Sequence, residues 1–321
     1  MAPIVDAAII EALGLEPASA KVGSRSGYGF ASTFKMSGTI GGKEAFFFIK
    51  VAGDPEGKVM LEGEFASLKA IHDAMPDFCP TPHAHGALRD DPGKYFLAMD
   101  FIDLSAPANP NSETLTQKLA RLHSMPAPVP DGFDRPMYGF PVTTCCGSTP
   151  QDNSWKSSWA EFYAENRLRA VFRAGERKHG ADGELAKAVE QTASVVVPRL
   201  LGDDHLKGVQ PVIIHGDLWS GNHGSGRISG QDNTGVVLYD PSSVYGHSEY
   251  ELGIIRMFGD PGPRFWKEYK SLLPVSEPKE EWEDRVTLYE LYHHLNHWAI
   301  FGGSYKGGAM RIMQKLISKY G

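Results

Sequence analysis

The segment His215-Gly216-Asp217-Leu218-Trp219-Ser220-Gly221-Asn222 sets an aspartate and an asparagine five positions apart, directly after the apolar run Val212–Ile214. It fits the phosphoryl-transfer loop pattern H-x-D-L-x-x-x-N. The spacing has a chemical reason: Asp217 is a candidate to accept the proton of an attacking hydroxyl, and Asn222 to turn a side-chain oxygen toward a magnesium ion. A second apolar strand, Val236–Tyr239, ends in Asp240, 18 positions after Asn222, where a second metal-binding carboxylate is expected. Pro241 and Ser242 follow it in place of Phe-Gly, which excludes a protein-kinase activation segment.

Phosphate chemistry also needs a cation. Lys50 stands in the middle of the apolar strand Phe46–Val51, where a lysine is costly to bury unless it is paired. In a kinase such a lysine grips the nucleotide phosphates and pairs with a glutamate on a helix. Helical spacing selects Glu64, which shares a face with Leu68, Ile71 and Met75, over Glu62, which falls with Ala66, Lys69 and Asp73 on a solvent face. Gly27 and Gly29 bracket a turn whose backbone N–H groups are candidates to cover phosphates, although Ser32 takes the place of the third glycine of G-x-G-x-x-G. No G-x-x-x-x-G-K-[ST] string occurs, so a P-loop is not indicated. Leu97–Phe101 is expected to be the hinge that binds adenine through backbone groups, with Met99 and Phe101 as the contacts. Trp219, beside Asp217, is a candidate to pack on a sugar face. His215, His293 and Asn296 are further substrate candidates, although His293 and Asn296 share a stripe with Trp282, Val286, Tyr289 and Ile300 that reads first as core and only second as a substrate pocket.

The elements that must position these residues follow from periodicity. Strands are expected near 21–26, 31–39, 44–51, 84–89 and 94–101, with a hairpin about Gly41-Gly42, and a helix over Lys58–Met75. Pro, Asn and Ser concentrate in Asp103–Ser112, the best linker candidate. Beyond it helices are expected near 113–125, 155–175, 183–200, 249–258, 279–301 and 307–319, with one β-rich patch at Val212–Asp240. The organisation is α+β: a β-rich lobe over 1–102 that binds nucleotide, a linker over 103–112, and a helical lobe over 113–321 that carries the catalytic loop and acceptor site.

Composition bounds the partners. The 321 residues are 41% hydrophobic and 22% charged, with a net charge of −7, so no general attraction for nucleic acid or an anionic membrane is expected. Three cysteines (Cys79, Cys145, Cys146), an N-terminus without a basic n-region and no long apolar run point to a cytoplasmic protein. Oligomeric state is left open.

HGDLWSGN (215–222), YGFPVTTCCGSTPQDNSW (138–155), YDPSSVYGHSEYELG (239–253) and LYHHLNHWAIFGGSY (291–305) together resemble the fructosamine-3-kinase, or protein-ribulosamine 3-kinase, family over nearly the whole chain. The resemblance implies a bilobal protein-kinase-like fold. It implies ATP and magnesium as cofactors, and phosphorylation at the 3-hydroxyl of a ketosamine, a glycated lysine that is free or on a protein. The phosphorylated product sheds its sugar, which makes the role deglycation. On this resemblance Asp217 is the base, Asn222 and Asp240 are metal ligands, and Lys50 and Glu64 are the phosphate-gripping pair. Two alternatives stay open: a kinase for another small alcohol such as an aminoglycoside or choline, and a nucleotide-binding regulator without turnover.

Overall fold

Along the strand Lys43–Gly53 side chains alternate between two buried faces, with Phe47 and Ile49 on one and Lys50 and Ala52 on the other. The computed structural model, which describes residues 5–28, 31–259 and 261–321, shows what covers each face. Phe47 and Ile49 pack with Met36, Phe96 and Ala98 against Ile9 and Leu13 of the short Ala7–Leu13 helix. On the other side the helix Asp54–Ala74 buries Leu61, Glu64, Leu68 and Ile71. Each large apolar side chain so buried contributes about 1.5–3 kcal/mol.

The first-unit sheet is antiparallel. With β1 (Lys21–Tyr28), β2 (Ala31–Ile40), β3 (Lys43–Gly53), β4 (Pro82–Ala87) and β5 (Lys94–Asp100), its order is β1-β2-β3-β5-β4. The expected hairpin joins β2 to β3 about Gly41-Gly42. The helix begins at Asp54 rather than Lys58, because Pro55 suits its first turn and the Asp54 carboxylate accepts the Gly57 N–H at 3.0 Å. A short strand β6 (Ile102–Asp103) pairs with His223–Ile228, which in turn pairs with Gly235–Leu238.

The chain divides into two compact units, Met1–Leu115 with Gly221–Pro241, and Thr116–Ser220 with Ser242–Gly321. The linear reading runs its second lobe unbroken from 113 to 321. The 221–241 hairpin groups with the first unit instead, because its pairing to β6 joins residues more than a hundred positions apart.

The second unit is helical about a core that includes Trp159, Tyr163, Leu200, Tyr250, Tyr289 and Leu295. Its aromatic residues are tied by their polar ends: Trp159 Nε1 donates to Tyr289 Oη at 2.8 Å, and Tyr163 Oη to the Leu288 carbonyl at 2.5 Å. The expected helices 155–175 and 183–200 are each interrupted by a π-helical stretch, Tyr163–Arg169 and Thr192–Val196. The first of these turns Asn166 and Arg167 inward, where Arg167 is fully buried. A helix at Pro263–Leu272 was not anticipated. It follows a Pro/Gly-rich stretch and buries only Phe265 and Tyr269, a stripe too short to stand out. Val212–Ile214, which leads into the loop motif, pairs antiparallel with Val244–Gly246 within the second unit.

Candidate active site

Lys50 Nζ donates to Glu64 Oε1 at 2.7 Å and to Asp240 Oδ1 at 2.6 Å, all within the first unit. Lys50 and Glu64 are buried, whereas the Asp240 side chain is 51% exposed. Burial alone would push the Lys50 ammonium down, but the Glu64 and Asp240 carboxylates outweigh it and hold it above the ordinary lysine range. Burial also pushes the Glu64 carboxyl up, to about 7, against the pull of Lys50. Glu62 sits on the exposed face, 3.6 Å from Lys58, as helical spacing requires.

Asn222 and Asp240 lie at the open end of the hairpin. His223 pairs with Leu238, and the Tyr239 N–H donates to the Asn222 carbonyl at 3.1 Å. Asp240 takes φ +57°, a left-handed conformation that costs a non-glycine residue about 1–2 kcal/mol and turns its carboxylate onto Lys50. The donors are a carboxylate and a carboxamide, which suit magnesium. That ion takes one or two carboxylates and completes its shell with phosphate and water.

The loop that carries Asp217 lies in the second unit and is held by one buried carboxylate. Glu251 accepts the N–H of His215 at 2.5 Å and of Gly216 at 3.0 Å. His123 Nε2 lies 3.7 Å from it. Charge-assisted bonds of this kind contribute roughly 1.5–3 kcal/mol each. Gly216 takes φ +82°, and a Cβ there would stand 2.1 Å from the Ser242 carbonyl, so this position admits only glycine. His215 is fully buried. Its carbonyl accepts the Ser242 N–H at 2.8 Å and its Nδ1 the Asp217 N–H at 3.3 Å. It ties the loop to Ser242 within the second unit. Cys146 is buried against Asp217, its Sγ 3.9 Å from Oδ1. Burial first, and then Asp217, push this thiol well up, so it remains neutral.

Behind the loop runs a buried network that sequence reasoning passed over. Ser242 Oγ and Thr144 Oγ1 donate to Gln151 Oε1 at 2.7 and 2.9 Å, and Gln151 Nε2 donates to Tyr292 Oη at 2.7 Å. Asn153 accepts from Arg167 Nη2 at 2.8 Å. The available signal was the density of polar residues in 142–155.

The remaining expectations separate. Trp219 is 40% exposed and packs on Phe258, with ring centroids 6.1 Å apart. His293 and Asn296 are both buried core residues. Asn296 Nδ2 donates to the Cys146 carbonyl at 3.1 Å, while His293 Nδ1 and Asn296 Oδ1 have no hydrogen-bond partner. Burial drives His293 well below the ordinary histidine range, so its ring is uncharged. Gly27 lies inside the β1–β2 ladder, paired with Ser32, rather than in a turn. Gly29 lies outside the described residues. Met99 is an inner-strand residue flanked by Phe48 and Pro82. The Phe101 N–H donates to the Phe46 carbonyl at 3.2 Å, and the Phe101 carbonyl accepts the Ser229 N–H at 2.8 Å.

Solved structures similar to this chain share this arrangement of elements. A Thermobifida fusca protein assigned as a fructosamine-3-kinase superposes with a TM-score of 0.72 at 24% identity, covering 98% of both chains. The aminoglycoside phosphotransferase APH(4)-Ia gives 0.54 at 14% identity, covering 95% of this chain and 96% of that one. The fold is therefore protein-kinase-like, of the kind found in small-molecule phosphotransferases. Within that class the sequence is decisive. A family model described as fructosamine kinase matches residues 29–319, and the chain belongs to the fructosamine kinase family. Ketosamine-3-kinase of Mus musculus is 34% identical over 316 residues, covering 93% of this chain and 96% of that protein. The chloroplastic protein-ribulosamine 3-kinase of Arabidopsis thaliana is 33% identical over 271 residues, covering 84% and 76%.

Proposed function

We propose that this chain transfers the γ-phosphoryl group of ATP to the 3-hydroxyl of a ketosamine, a ribulose or fructose residue carried on a lysine amine. The observation that carries the reading is the clamp of Glu251 on the loop of Asp217, in a chain of the fructosamine kinase family. Asp217 orients the sugar hydroxyl and takes its proton. The hydroxyl oxygen bonds to the γ-phosphorus as the bridging bond to ADP breaks, and ADP leaves with the electron pair. Lys50, held by Glu64, offsets charge on the phosphates. Asn222 and Asp240 are the residues to hold magnesium, which when bound neutralises charge on the β- and γ-oxygens. The 3-phosphorylated product loses its sugar, so the outcome is deglycation. Three free cysteines support a reducing, cytoplasmic setting, and no helix among the described residues is long and apolar enough to cross a membrane.

The test is ATP consumption with magnesium on ribulose-lysine, fructose-lysine, kanamycin and choline side by side. Turnover on a ketosamine supports the reading, and the ratio of the two names the sugar. Turnover only on kanamycin or choline would overturn the acceptor assignment, and ATP binding without transfer to any acceptor would favour a regulator.

A further inference from the structure

A base needs a fixed direction as well as a fixed position. The torsion that turns an aspartate carboxylate is broad, so the rotamer alone does not aim its oxygens, and a hydrogen-bond partner must. Cys146 supplies one to Asp217 within the second unit. Its Sγ donates to Asp217 Oδ1 at 3.9 Å, from a side chain only 1% exposed. Burial first, and then Asp217, keep this thiol protonated. A buried neutral thiol is a poor nucleophile and a poor metal ligand, but it remains a hydrogen donor.

The donor is itself held in place. Cys145–Cys146 pairs with Thr149–Pro150 in a tight hairpin, which is seated on the helix Trp282–Phe301 at Tyr292, Asn296 and Ile300. Asn296 Nδ2 donates to the Cys146 carbonyl at 3.1 Å, and Gln151 Nε2 donates to Tyr292 Oη at 2.7 Å. Gly147, at φ +60°, lies so close to Ile300 that a Cβ would stand 2.9 Å from its Cδ1. Residues 292, 296 and 300 recur every fourth position and so share one helix face. The segments 138–155 and 291–305 thus meet behind the thiol.

We propose that Cys146 is a positioning residue for phosphoryl transfer, aiming the Asp217 carboxylate through its S–H bond, and that Asn296 serves the reaction by holding Cys146 rather than by binding the acceptor. The inference rests on Asp217 being the base. With Oδ1 engaged, the carboxylate keeps one rotation and meets each acceptor hydroxyl at one angle. Loss of that bond leaves substrate binding in place and lowers the share of bound molecules in productive geometry, so it falls on kcat rather than KM.

The experiment measures kcat and KM for ATP and ribulose-lysine in wild type, Cys146→Ala, Cys146→Ser, Asn296→Ala and the Cys146→Ala/Asn296→Ala double variant. Cys146→Ala should lower kcat about fivefold, the effect of one weak hydrogen bond to a charged group, and move neither KM by more than about twofold. Cys146→Ser keeps a donor and should restore most of kcat. Asn296→Ala should lower kcat about threefold alone and no further in the Cys146→Ala background, because it acts through the thiol. A wild-type kcat in Cys146→Ala, an equal loss in Cys146→Ser, or full additivity of Asn296→Ala overturns the inference and leaves the ketosamine reading intact. Asp217→Asn as active as wild type overturns both. Infrared spectroscopy reads the bond without turnover. The S–H stretching band that disappears in Cys146→Ser should rise in frequency in Asp217→Asn, where the acceptor loses its charge. An unmoved band overturns the inference even where Cys146→Ala fails to fold.

Discussion

Two buried glutamates hold the residues proposed for the two halves of the chemistry, and they do it differently. Glu64 holds a side-chain cation, Lys50, whose other partner, Asp240, is half-exposed. Glu251 holds the backbone N–H groups of His215 and Gly216 and is almost wholly buried. The first arrangement can exchange partners. Lys50 can give up Asp240 for phosphate oxygens, because a cation on a long stem needs only an anion within reach. The second cannot exchange without moving the main chain, and Gly216 leaves no room for that against Ser242. On the proposed function, nucleotide handling falls to replaceable ion pairs, and the base to a fixed backbone.

The contrast can be broken most severely at Glu251. Glu251→Ala leaves two buried N–H groups without their acceptor and should cost about 3–5 kcal/mol in urea unfolding, with turnover lost at temperatures where the fold survives. A loss under 1 kcal/mol would mean that the carboxylate does not fix the loop. Acid should act on the same unit. His247 is buried between Tyr289 Oη and Ser276 Oγ, at 2.8 and 2.9 Å. Burial lowers its pKa from 6.5 to about 4. A histidine depressed in the fold contributes stability that is present above the unfolded value and lost as pH falls toward the folded one. Stability should therefore decline between pH 6.5 and about 4 by about 3 kcal/mol. His247→Gln should flatten that slope, and an unchanged slope would assign it to other groups.

Lys50→Met sharpens the other side. It should lower kcat/KM for ATP by about 10²-fold while leaving the Asp217 loop and acceptor KM in place. Equal losses for ATP and acceptor would deny the separation. The smallest effect belongs to the neighbouring glutamate. Glu62→Gln should change stability by less than about 0.5 kcal/mol, as an exposed pair 3.6 Å from Lys58 allows, while Glu64→Gln reproduces part of the Lys50 defect.

The Lys50–Glu64 pair was legible in the sequence because it needs only two periodicities, two residues per strand repeat and 3.6 per helical turn. The loop motif was legible because its residue types lie within eight consecutive positions, although its role remains the proposal made above. The clamp by Glu251 was not, since it depends on where a helix start meets a loop 35 residues earlier in the chain. The backbone partners of His215 and Phe101 were equally hidden: Ser242 donates to the His215 carbonyl and Ser229 to the Phe101 carbonyl, each from far along the chain. The first π-helical interruption escaped because its inward residues Asn166 and Arg167 read as surface in a helical pattern. The grouping of 221–241 with the first unit escaped because strand pairing across a hundred residues leaves no local mark.

The most direct test of the central claim is phosphoryl transfer to ribulose-lysine by wild type and Asp217→Asn at saturating ATP, with the phosphorylated position read by phosphorus NMR. The account predicts a 3-phosphate product from wild type, a fall in kcat of about 10³-fold in Asp217→Asn, and nucleotide affinity unchanged between them. Near-normal turnover in Asp217→Asn, or phosphate at another hydroxyl, would contradict it.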